Sequence, residues 1–476
     1  MLIKNATIIM TMNPARQVIE NGFIAVEKGK ITAIGRMNKL DRVNGKKVID
    51  AKRKLVMPGL INAHSHGIAI LLRGGLSQER SLYDWMLNVL YPGIRTYTDH
   101  DTKVGAHLYL AEAIRSGITT VVNNEGGRLD KRHREVLEAS KMSGIRTVYG
   151  RMFNDLEPAA PLAGYYKILE AKSPNVHHLE DYLVEDTRKV LSSIENLIKE
   201  YNSVDDDLIR VWPSPHGPAW CSKEGLLASR DLAQQYNVGI TIHLAETAEE
   251  FKLYGVSTTE YLDSIGFLNP RLLAAHCVWT DDKDIRLLRK NNVKVAHQPG
   301  SNMYLASGFA PIPKMLAEGI TVGIGSDDGN CNDSVNMIVE MREAALIHKA
   351  NNLDASCITS DQVMEMATIM GAKALGMENQ IGSLEVGKKA DIIILDLQAP
   401  HLRPIHHLPS VLVYQARGTE VETVIVDGKI LMEHRKLSWM SEDEEMKLLD
   451  EVQNSSIAIR DRANLDLPKE QLIREI

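Results

Sequence analysis

The chain has 476 residues, of which 44% are hydrophobic and 25% charged, and its formal net charge is −7. This length is enough for a large core and for more than one domain. Because acidic and basic residues are spread along the chain, no basic region predicts binding to nucleic acid or to anionic lipid. These features favour a small molecule as the partner.

Nothing in the sequence indicates secretion or membrane insertion. The first ten residues lack the basic segment, apolar segment and small-residue cleavage site of a secretory signal. No apolar run approaches the roughly 20 residues that span a bilayer. The four cysteines (Cys221, Cys277, Cys331 and Cys357) are widely spaced and form no CxxC pair, as in proteins of a reducing compartment. We therefore predict a cytoplasmic location and no membrane partner.

The two ends of the chain share a pattern of short strands and tight turns. In residues 1–54, the β-rich runs Ala6–Met12 and Phe23–Val26 are followed by a turn at Glu27–Lys30. In residues 376–440, further β-rich runs lead to a turn of the Asp-Gly type. We predict that these two segments are the halves of one small composite β-domain.

Between these ends, residues 55–375 alternate between strand-like and helix-like runs. Eight β-type runs are each followed by a helical pattern: Leu55–Asn62, Ile118–Asn123, Arg146–Met152, Leu208–Pro213, Gly239–His243, Leu272–His276, Val293–His297 and Thr321–Gly325. The helix-like runs include Val104–Arg115, Leu183–Tyr201, Lys223–Gln235, Lys283–Lys290 and Ser360–Leu375. Eight such units over roughly 300 residues predict an α/β fold with a (β/α)8 TIM-type barrel. Residues 441–476 are predicted as a C-terminal helical segment, with the helix itself at Glu442–Asn464.

Polar side chains with metal-binding or acid–base chemistry stand at the ends of these strands. In βα barrels the active site gathers at the C-terminal ends of the strands. The residues there are His64 and His66 after the first strand, His243 after the fifth, His276 after the sixth, His297 after the seventh and Asp327 after the eighth. Because buried polar groups are costly unless paired, this convergence favours a metal site over a structural role.

We predict that His64, His66, His243 and Asp327 bind one divalent metal ion. Residues i and i+2 of a strand point to the same face, so both imidazoles of His64 and His66 can reach one ion. Three nitrogens and one oxygen suit zinc, with iron as the alternative, and leave a position for water. The fourth strand has no lysine at its end, so a carbamylated lysine between two ions is not expected.

Three residues are predicted to act in catalysis. A metal ion lowers the pKa of a bound water, and attack on a ring carbon then needs groups that move protons. Glu246 lies just beyond His243 and is predicted to pass a proton from water to a ring nitrogen. Its alternative role is that of a glutamate interacting with a helix dipole. His276 is predicted to orient the attacking oxygen, and Asp327 to pass a proton to the leaving group.

With these residues identified, the chain resembles the amidohydrolase superfamily over essentially its whole length. The motifs that carry the resemblance are Pro-Gly-Leu-Ile-Asn-Ala-His-Ser-His (58–66), His-Leu-Ala-Glu (243–246), His-Cys (276–277), His-Gln-Pro-Gly-Ser-Asn (297–302), Gly-Ser-Asp-Asp-Gly (325–329) and Gly-Ser-Leu-Glu-Val-Gly-Lys-Lys-Ala-Asp-Ile (382–392). The resemblance implies a barrel with a composite β-domain. It also implies a homo-oligomer, a dimer or larger.

Within the superfamily, the chain most resembles the s-triazine and nucleobase branch, which includes melamine deaminase and atrazine chlorohydrolase. The closer match is carried by Arg-Gly-Gly (73–75), Tyr-Asp-Trp (83–85), Tyr-Pro-Gly (91–93) and Asn-Cys-Asn-Asp-Ser-Val-Asn-Met (330–337). The resemblance implies that Asp328 and Cys331 follow the deaminase, because the chlorohydrolase has an amide and a hydroxyl at these places. Leu82 also follows the deaminase. An amine must be protonated to leave and chloride need not be, so a second acid at 328 favours deamination.

Four further residues are assigned to the substrate pocket besides Asp328. Cys331 is predicted to form part of the pocket wall, with a catalytic thiol as the alternative. Leu82 is placed in the same pocket through the resemblance. His216, in Ser-Pro-His-Gly-Pro, resembles nucleobase and thioadenosine deaminases more than triazine enzymes, and is expected to hydrogen-bond a ring nitrogen or an oxo group. Trp85 is expected either to stack on a flat ring or to belong to the core.

The predicted function is a metal-dependent hydrolytic deaminase. Its substrate would be an amino-substituted six-membered nitrogen heterocycle, either an aminopyrimidine such as isocytosine, a related guanine-like ring, or an aminotriazine such as melamine. The products are the oxo compound and ammonia. Three alternatives are s-triazine dehalogenation, deamination of a nucleoside such as methylthioadenosine or S-adenosylhomocysteine, and a binding protein without activity. The last is disfavoured because every predicted metal ligand is present.

Overall fold

A computed structural model of the chain describes residues 1–40, 47–77, 79–127, 130–155, 184–202, 207–250 and 254–465. The strands in this part of the chain are β1 (Leu2–Met10), β2 (Val18–Glu27), β3 (Lys30–Arg36), β4 (Val48–Asp50), β5 (Lys54–Pro58), β6 (Leu60–His66), β7 (Ile118–Glu125), β8 (Arg146–Phe153), β9 (Ile209–Pro215), β10 (Ile240–Leu244), β11 (Leu272–His276), β12 (Lys294–His297), β13 (Val322–Ile324), β14 (Asp327–Asp328), β15 (Ile392–Asp396), β16 (Val421–Val426), β17 (Lys429–Glu433) and β18 (Lys436–Leu437).

The α-helices among the described residues are α1 (Leu82–Trp85), α2 (Tyr91–Arg95), α3 (Asp99–Arg115), α4 (Asp130–Ser143), α5 (Thr187–Tyr201), α6 (Lys223–Gln235), α7 (Thr258–Ser264), α8 (Asp282–Lys290), α9 (Pro299–Tyr304), α10 (Ile312–Ala317), α11 (Met337–Asn352), α12 (Ser360–Met366), α13 (Ile369–Ala374), α14 (Leu408–Tyr414) and α15 (Glu442–Ala463). Several begin at a capping box, including α3 at Thr98, α8 at Asp281 and α15 at Ser441. In each box, the cap side chain and an acidic side chain three residues later satisfy backbone N–H groups. Within the described residues, no helix combines the length and the apolar character needed to cross a membrane.

One mixed sheet is built from strands of both chain ends. Its order is β18-β17-β16-β15-β5-β1-β2-β3, with β4 beside β1. The central pair is β5 and β15, which run antiparallel from Lys54–Pro58 to Ile392–Asp396. One face of this sheet buries an aliphatic cluster that includes Ile9, Ile24 and Ile394. The N-terminal and C-terminal segments therefore share one sheet and one core.

The other strands form two parallel sheets, with the orders β14-β6-β7-β8-β9 and β10-β11-β12-β13. At one pair of edges, the backbone N–H of His243 donates to the carbonyl of His216 at 3.0 Å. At the other pair, Gly325 lies against β6, where a Cβ at this position would be 2.7 Å from the carbonyl oxygen of His64. The two sheets therefore adjoin at both edges. Strands and helices alternate along this part of the chain, as predicted for an α/β fold.

The structure divides the first predicted strand. The run Leu55–Asn62 was predicted as one strand, but Lys54–Pro58 belongs to the mixed sheet and Leu60–His66 to a parallel sheet. The division falls at Gly59, where a Cβ would lie 2.1 Å from the Thr119 side chain. Proline has no N–H to donate and glycine permits this close approach. The same strand run thus connects the mixed sheet to the start of the parallel sheets.

The predicted helix Ser360–Leu375 is also divided, into α12 and α13, at Thr368. The break leaves the carbonyl of Ala367 free to accept a hydrogen bond from the N–H of Ile61 in β6, at 2.9 Å. Of the predicted helix Leu183–Tyr201, residues from Thr187 onward are helical and Leu183 lies outside the described residues. The last predicted helix spans Glu442–Ala463, and residues 466–476 of its segment lie outside the described part.

A buried ion pair joins the mixed sheet to the parallel strands. Arg146, at the start of β8, donates two hydrogen bonds to Asp391, at 3.0 and 3.1 Å, and both side chains are almost fully buried. The guanidinium also lies 3.3 Å from Asp427, whose carboxylate accepts from Lys389. Because the two charges are removed from water, each depends on the other for compensation.

We expect Arg146→Met to lower the free energy of unfolding by about 3–5 kcal/mol, because it leaves a buried carboxylate without its cation. Thermal and urea unfolding of the purified variant measure this change. The matched control is Arg289→Met, which removes an ion pair with Glu318 in which the arginine is 63% exposed and should change stability by less than about 1 kcal/mol. Equal stability of the two variants would contradict the proposed role of the buried pair.

Candidate active site

Four histidines and one aspartate converge at the C-terminal ends of the parallel strands. His64 and His66 lie at the end of β6, His243 near the end of β10, His276 at the end of β11 and Asp327 in β14. Two sets of their nitrogen and oxygen atoms lie within 4.8 Å of one another: one from His64, His66 and His243, and one from His64, His276 and Asp327. Sequence spacing predicted this convergence, and the structure brings these five residues together.

Hydrogen bonds to backbone carbonyls fix the protonation of two of these imidazoles. Nδ1 of His66 lies 2.6 Å from the carbonyl of Asn124, and Nδ1 of His243 lies 2.6 Å from the carbonyl of His216. A carbonyl can only accept, so each Nδ1 carries the proton and each Nε2 presents a lone pair. The two Nε2 atoms are only 3.1 Å apart. Two facing lone pairs repel unless a cation lies beside them.

The other atoms of the cluster also fit a cation. Nε2 of His64 and Nε2 of His276 are buried and have no hydrogen-bond partner among the described residues. The Oδ1 atom of Asp327 lies 3.4 Å from His64 and 3.6 Å from His66. The Asn124 amide lies 3.0 Å from Nδ1 of His64 and can present either its nitrogen or its oxygen there. Imidazole nitrogens with one carboxylate are a donor set that suits zinc or iron.

The backbone at the site adopts left-handed conformations. The φ angles of Ala245, His276 and Asp327 are +51°, +70° and +60°. Residues other than glycine rarely adopt such angles, and each costs about 1–3 kcal/mol. The surrounding hydrogen bonds therefore hold these residues in place, and they aim the imidazole and carboxylate into the cluster.

Glu246 lies beside the cluster. Its side chain is buried, and its Oε2 atom is 3.6 Å from Nε2 of His276. Burial raises the pKa of Glu246 well above its usual value, and the negative charge of Asp327 raises it further. This carboxyl group can therefore take up and release a proton within reach of the predicted metal position.

A cavity of about 90 Å³ opens next to the cluster. Its lining is mostly apolar, with polar groups at the strand ends: His66, Ile68, Ala69, Met86, Leu90, Tyr91, Ile94, Asn124, Glu125, Gly126, Gly127, Met152, Phe153, Asn154, Glu185, His216, His243 and Asp328. Small-molecule sites commonly combine an apolar wall with a few converging polar groups. Of the predicted pocket residues, His216 and Asp328 line this cavity.

His216 presents a hydrogen-bond acceptor to the cavity. Its Nδ1 atom donates to Oδ1 of Asn154 at 2.7 Å, so its Nε2 atom carries the lone pair. The ring stacks on Trp220, with centroids 5.0 Å apart, which fixes its orientation. The group can accept a hydrogen bond from an amino or ring N–H of a ligand.

Asp328 adds a second carboxyl group on the cavity side of Asp327. Burial raises the pKa of Asp328 well above its usual value, with a further contribution from the charge of Asp327. Its Oδ1 atom has no hydrogen-bond partner within the described residues. A buried, protonated carboxyl group can donate a proton to a bound molecule.

Three predicted pocket residues do not line this cavity. Cys331 lies behind Asp327, where its Sγ atom is 3.2 Å from Oγ of Ser301. Burial raises the pKa of the Cys331 thiol, which favours the neutral form over a nucleophilic thiolate. Trp85 is in the core and donates from Nε1 to Ser77. Leu82, one turn earlier in the same helix, is buried as well.

Side chains farther along this helical region line the cavity instead. The segment Met86–Leu90 is a π-helix between α1 and α2, and Met86, Leu90 and Tyr91 face the cavity. Sequence spacing alone does not show a π-helical turn, which rotates the following side chains relative to an α-helix. Leu82 and Trp85, the residues of this region assigned to the pocket from the sequence, precede the π-helical segment and do not line the cavity.

Other polar residues of the cavity were not predicted from the sequence, although they also lie at strand ends. Asn124 and Glu125 end β7, and Asn154 follows β8. Burial raises the pKa of Glu125 to about 7. His297, by contrast, was expected with the cluster, but its Nε2 atom lies 3.0 Å from Nε2 of His348 in α11. Among the described residues it contributes to neither set of potential ligand atoms.

The comparison with known protein families agrees with this geometry. The model of the amidohydrolase family matches residues 55–431, which include the whole cluster. The chain belongs to the amidohydrolase family. The predicted resemblance and the prediction of an enzyme are therefore confirmed.

Relatives of the chain include both triazine hydrolases and deaminases. The S-triazine hydrolase of Gordonia rubripertincta is 45% identical over 324 residues, which are 68% of this chain and 67% of that protein. The 5'-deoxyadenosine deaminase of Methanosarcina acetivorans is 36% identical over 468 residues, 97% of this chain and 99% of that protein. A solved adenosine deaminase from Xanthomonas campestris, with bound zinc, has a TM-score of 0.86 at 28% identity and covers 97% of this chain and 98% of its own. The chain is thus a hydrolase or hydrolytic deaminase of this superfamily, with a candidate metal site.

We expect His66→Ala to abolish zinc binding, because the substitution removes one of the two nitrogens that lie 3.1 Å apart. Elemental analysis of protein purified with added zinc measures the zinc content per chain. The control is His216→Gln, which removes an imidazole from the cavity wall and should retain the zinc of the unaltered protein. Zinc retained by His66→Ala, or lost equally by both variants, would contradict the assignment.

Proposed function

We propose that this amidohydrolase is a metal-dependent hydrolytic deaminase that converts an amino-substituted six-membered nitrogen heterocycle to its oxo product and ammonia. The observation that carries the proposal is Asp328. It adds a buried carboxyl group to the cavity beside Asp327, and the Oδ1 atom of this group has no hydrogen-bond partner among the described residues. An amine leaves as ammonia only after it gains a proton, and Asp328 can supply that proton.

We further propose that the parallel strands form a closed barrel and that the cluster binds one metal ion. Because the two parallel sheets adjoin at both edges, we take them to form a closed (β/α)8 barrel with the cluster at its C-terminal face. His64, His66, His243 and Asp327 would hold one divalent ion, zinc first and iron as the alternative. The ion, when bound, lowers the pKa of a coordinated water so that the nucleophile is available near neutral pH.

The protein's own residues then manage the protons of the reaction. Hydrolysis replaces the C–NH2 bond by a C–O bond, and the water gives up two protons in total. Glu246 takes the first and delivers it to a ring nitrogen, which makes the ring carbon open to attack. His276, whose Nε2 atom has no hydrogen-bond partner in the described part of the chain, accepts a hydrogen bond from the attacking oxygen. The second proton reaches the leaving nitrogen through Asp328 or Asp327.

The cavity favours a compact ring as the substrate. Its apolar wall, which includes Leu90, Tyr91 and Phe153, suits the faces of a flat heterocycle. The Nε2 acceptor of His216 suits an amino group or ring N–H rather than an unprotonated ring nitrogen. This supports an aminopyrimidine such as isocytosine or an aminotriazine such as melamine.

A nucleoside is the second candidate substrate. It is favoured by the relationship to 5'-deoxyadenosine deaminase, which extends over 97% of the chain. Dehalogenation of an s-triazine is the alternative that Asp328 disfavours. The homo-oligomer and the cytoplasmic location stay predictions, of which the first is tested by light scattering during gel filtration.

Ammonia release from a substrate panel tests the proposed reaction. The panel contains melamine, ammeline, isocytosine, guanine, cytosine and methylthioadenosine, with chloride release from atrazine in parallel. We expect ammonia from at least one of the small rings. We also expect Glu246→Gln to lower kcat by at least about 100-fold, because amide cannot carry the proton.

The matched control for this variant is Glu250→Gln. Burial raises the pKa of Glu250 to about 8, so a glutamine copies both its shape and its neutral state at pH 7. Activity close to that of the unaltered enzyme is expected. Chloride release without ammonia would contradict the deaminase proposal, and ammonia from methylthioadenosine alone would replace the ring substrate by the nucleoside.

A single substitution separates the two leaving groups. We expect Asp328→Asn to lower the rate of ammonia release about 10²–10⁴-fold, the usual range for the loss of a general acid. Release of chloride from a chlorinated analogue of the same ring should fall much less, since chloride needs no proton. The ratio of the two rates in one preparation is the measurement. An equal loss for both leaving groups would show that Asp328 does not act as the acid.

A further inference from the structure

The segment Gln298–Asn302, Gln-Pro-Gly-Ser-Asn, makes polar contacts with two groups of the cluster. It follows β12 and forms the start of α9. Its polar side chains are buried: Gln298, Ser301 and Asn302 are each at most 2% exposed. We call this segment the clamp. None of these three side chains lines the cavity next to the cluster, so their roles are separate from contact with the substrate.

Two amide side chains of the clamp hold His276. The Oε1 atom of Gln298 accepts the backbone N–H of His276 at 2.8 Å. The Oδ1 atom of Asn302 lies 3.0 Å from Nδ1 of the ring. An amide oxygen only accepts, so Nδ1 carries the proton and Nε2 presents a lone pair towards Glu246 and Asp327. Gln298 also supports the backbone at the position where φ is +70°.

The hydroxyl of Ser301 holds the carboxylate of Asp327. Its Oγ atom donates to Oδ2 at 2.6 Å, while Oδ1 is the oxygen nearer to His64 and His66. Cys331 lies behind the serine, with Sγ at 3.2 Å from the same Oγ atom. Since the serine proton is given to Asp327, the thiol has two acceptors for its one proton, the serine and the carbonyl of Asp328 at 3.6 Å. The two oxygens of Asp327 therefore have different neighbours in the absence of a ligand: Oδ2 accepts from Ser301, and Oδ1 lies near His64 and His66.

The clamp is itself anchored by Glu340 of α11. Its carboxylate accepts from the N–H of Gly300 at 3.2 Å and from the side chain of Asn332. The Asn332 amide also donates to the carbonyl of Ser326 at 2.8 Å, directly before Asp327. A Cβ on Gly300 would lie 2.6 Å from Oδ1 of Asn332, so glycine permits this close packing. One carboxylate therefore connects the clamp with the turn that carries Asp327.

We propose that Ser301 and Asn302 are positioning residues of the reaction: Ser301 orients Asp327 for the metal ion, and Asn302 sets the tautomer of His276. This rests on the proposed function, because the reaction defines what is positioned. The two residues act on different groups. Loss of Ser301 should weaken metal binding, and loss of Asn302 should slow the reaction with little effect on the metal. Partners of metal ligands commonly change metal affinity or activity by about 10–100-fold.

The first test is the zinc affinity of Ser301→Ala, Ser301→Thr and Asn302→Leu, measured by competition with a chromogenic chelator. We expect Ser301→Ala to raise the zinc dissociation constant about 10–100-fold. Ser301→Thr retains the hydroxyl and should restore most of the affinity. Asn302→Leu should stay within about threefold of the unaltered protein. This readout does not depend on any substrate, so it tests the clamp even where the ammonia panel gives no product.

The second test is the split between kcat and KM on the best substrate of the panel, with saturating zinc. We expect Asn302→Leu to lower kcat about 10–100-fold at nearly constant KM, because the His276 ring can then take the wrong tautomer. Asn302→Asp keeps an acceptor for Nδ1–H and should recover much of the rate. The control for the serine variants is Ser229→Ala, which removes a buried hydroxyl without a partner among the described residues.

Each outcome decides one part of the proposal. Zinc affinity and kcat of Ser301→Ala equal to those of Ser229→Ala would overturn the role of Ser301. Equal rates for Asn302→Leu and Asn302→Asp would overturn the role of Asn302. If the alanine and leucine variants do not fold, the threonine and aspartate variants still decide it, since loss of zinc affinity in Ser301→Thr or a wholly inactive Asn302→Asp contradicts the proposal. Normal zinc binding with no ammonia from any substrate rejects the proposed function alone.

Discussion

The arrangement of the site depends on two imidazole lone pairs that face each other 3.1 Å apart, on His66 and His243. Each is forced to be a lone pair, because the other nitrogen of each ring donates to a backbone carbonyl. Those carbonyls belong to Asn124 and His216, at the ends of the neighbouring strands. The parallel strands therefore do more than place histidines close together. The carbonyls at their C-terminal ends also fix the tautomers, and together these two effects create a site that favours a cation.

The backbone is strained at the ends of these strands. Ala245, His276 and Asp327 have positive φ angles, which let the chain turn sharply after a strand and aim a side chain inward. Such conformations persist where the surroundings hold them. Around His276 and Asp327, those surroundings are the buried side chains of Gln298, Ser301 and Asn302. The favourable free energy of folding offsets this local strain. The packed strands and helices contribute to it, and so does the buried ion pair that joins them to the mixed sheet.

The sequence predicted those parts of the fold and site that depend on short-range spacing. Eight strand runs and the polar residues at their ends could be predicted, because a parallel strand is a short apolar run and the polar side chains stand at its end. The directions of side chains and the breaks in helices depend on three-dimensional packing and could not be predicted. Met86 and Leu90 line the cavity whereas Trp85 does not, Thr368 interrupts a periodic helix, and His297 pairs with His348. No local pattern shows that Cys331 lies behind Ser301 rather than in the cavity wall.

The chemistry of the cavity depends on a histidine that accepts a hydrogen bond and on buried carboxyl groups. His216 is an acceptor, Asp328 is a carboxyl group with a raised pKa, and Glu246 is a second one beside the cluster. Burial disfavours the charge on both carboxyls and so raises their affinity for protons. A halide leaving group departs without gaining a proton. An amino group needs one to depart and the ring nitrogen needs another, and in the proposed reaction both come from the water, one through Glu246 and one through Asp328 or Asp327. Under the proposed function, these acids bear on the choice of leaving group, whereas the metal ligands would serve either reaction equally well.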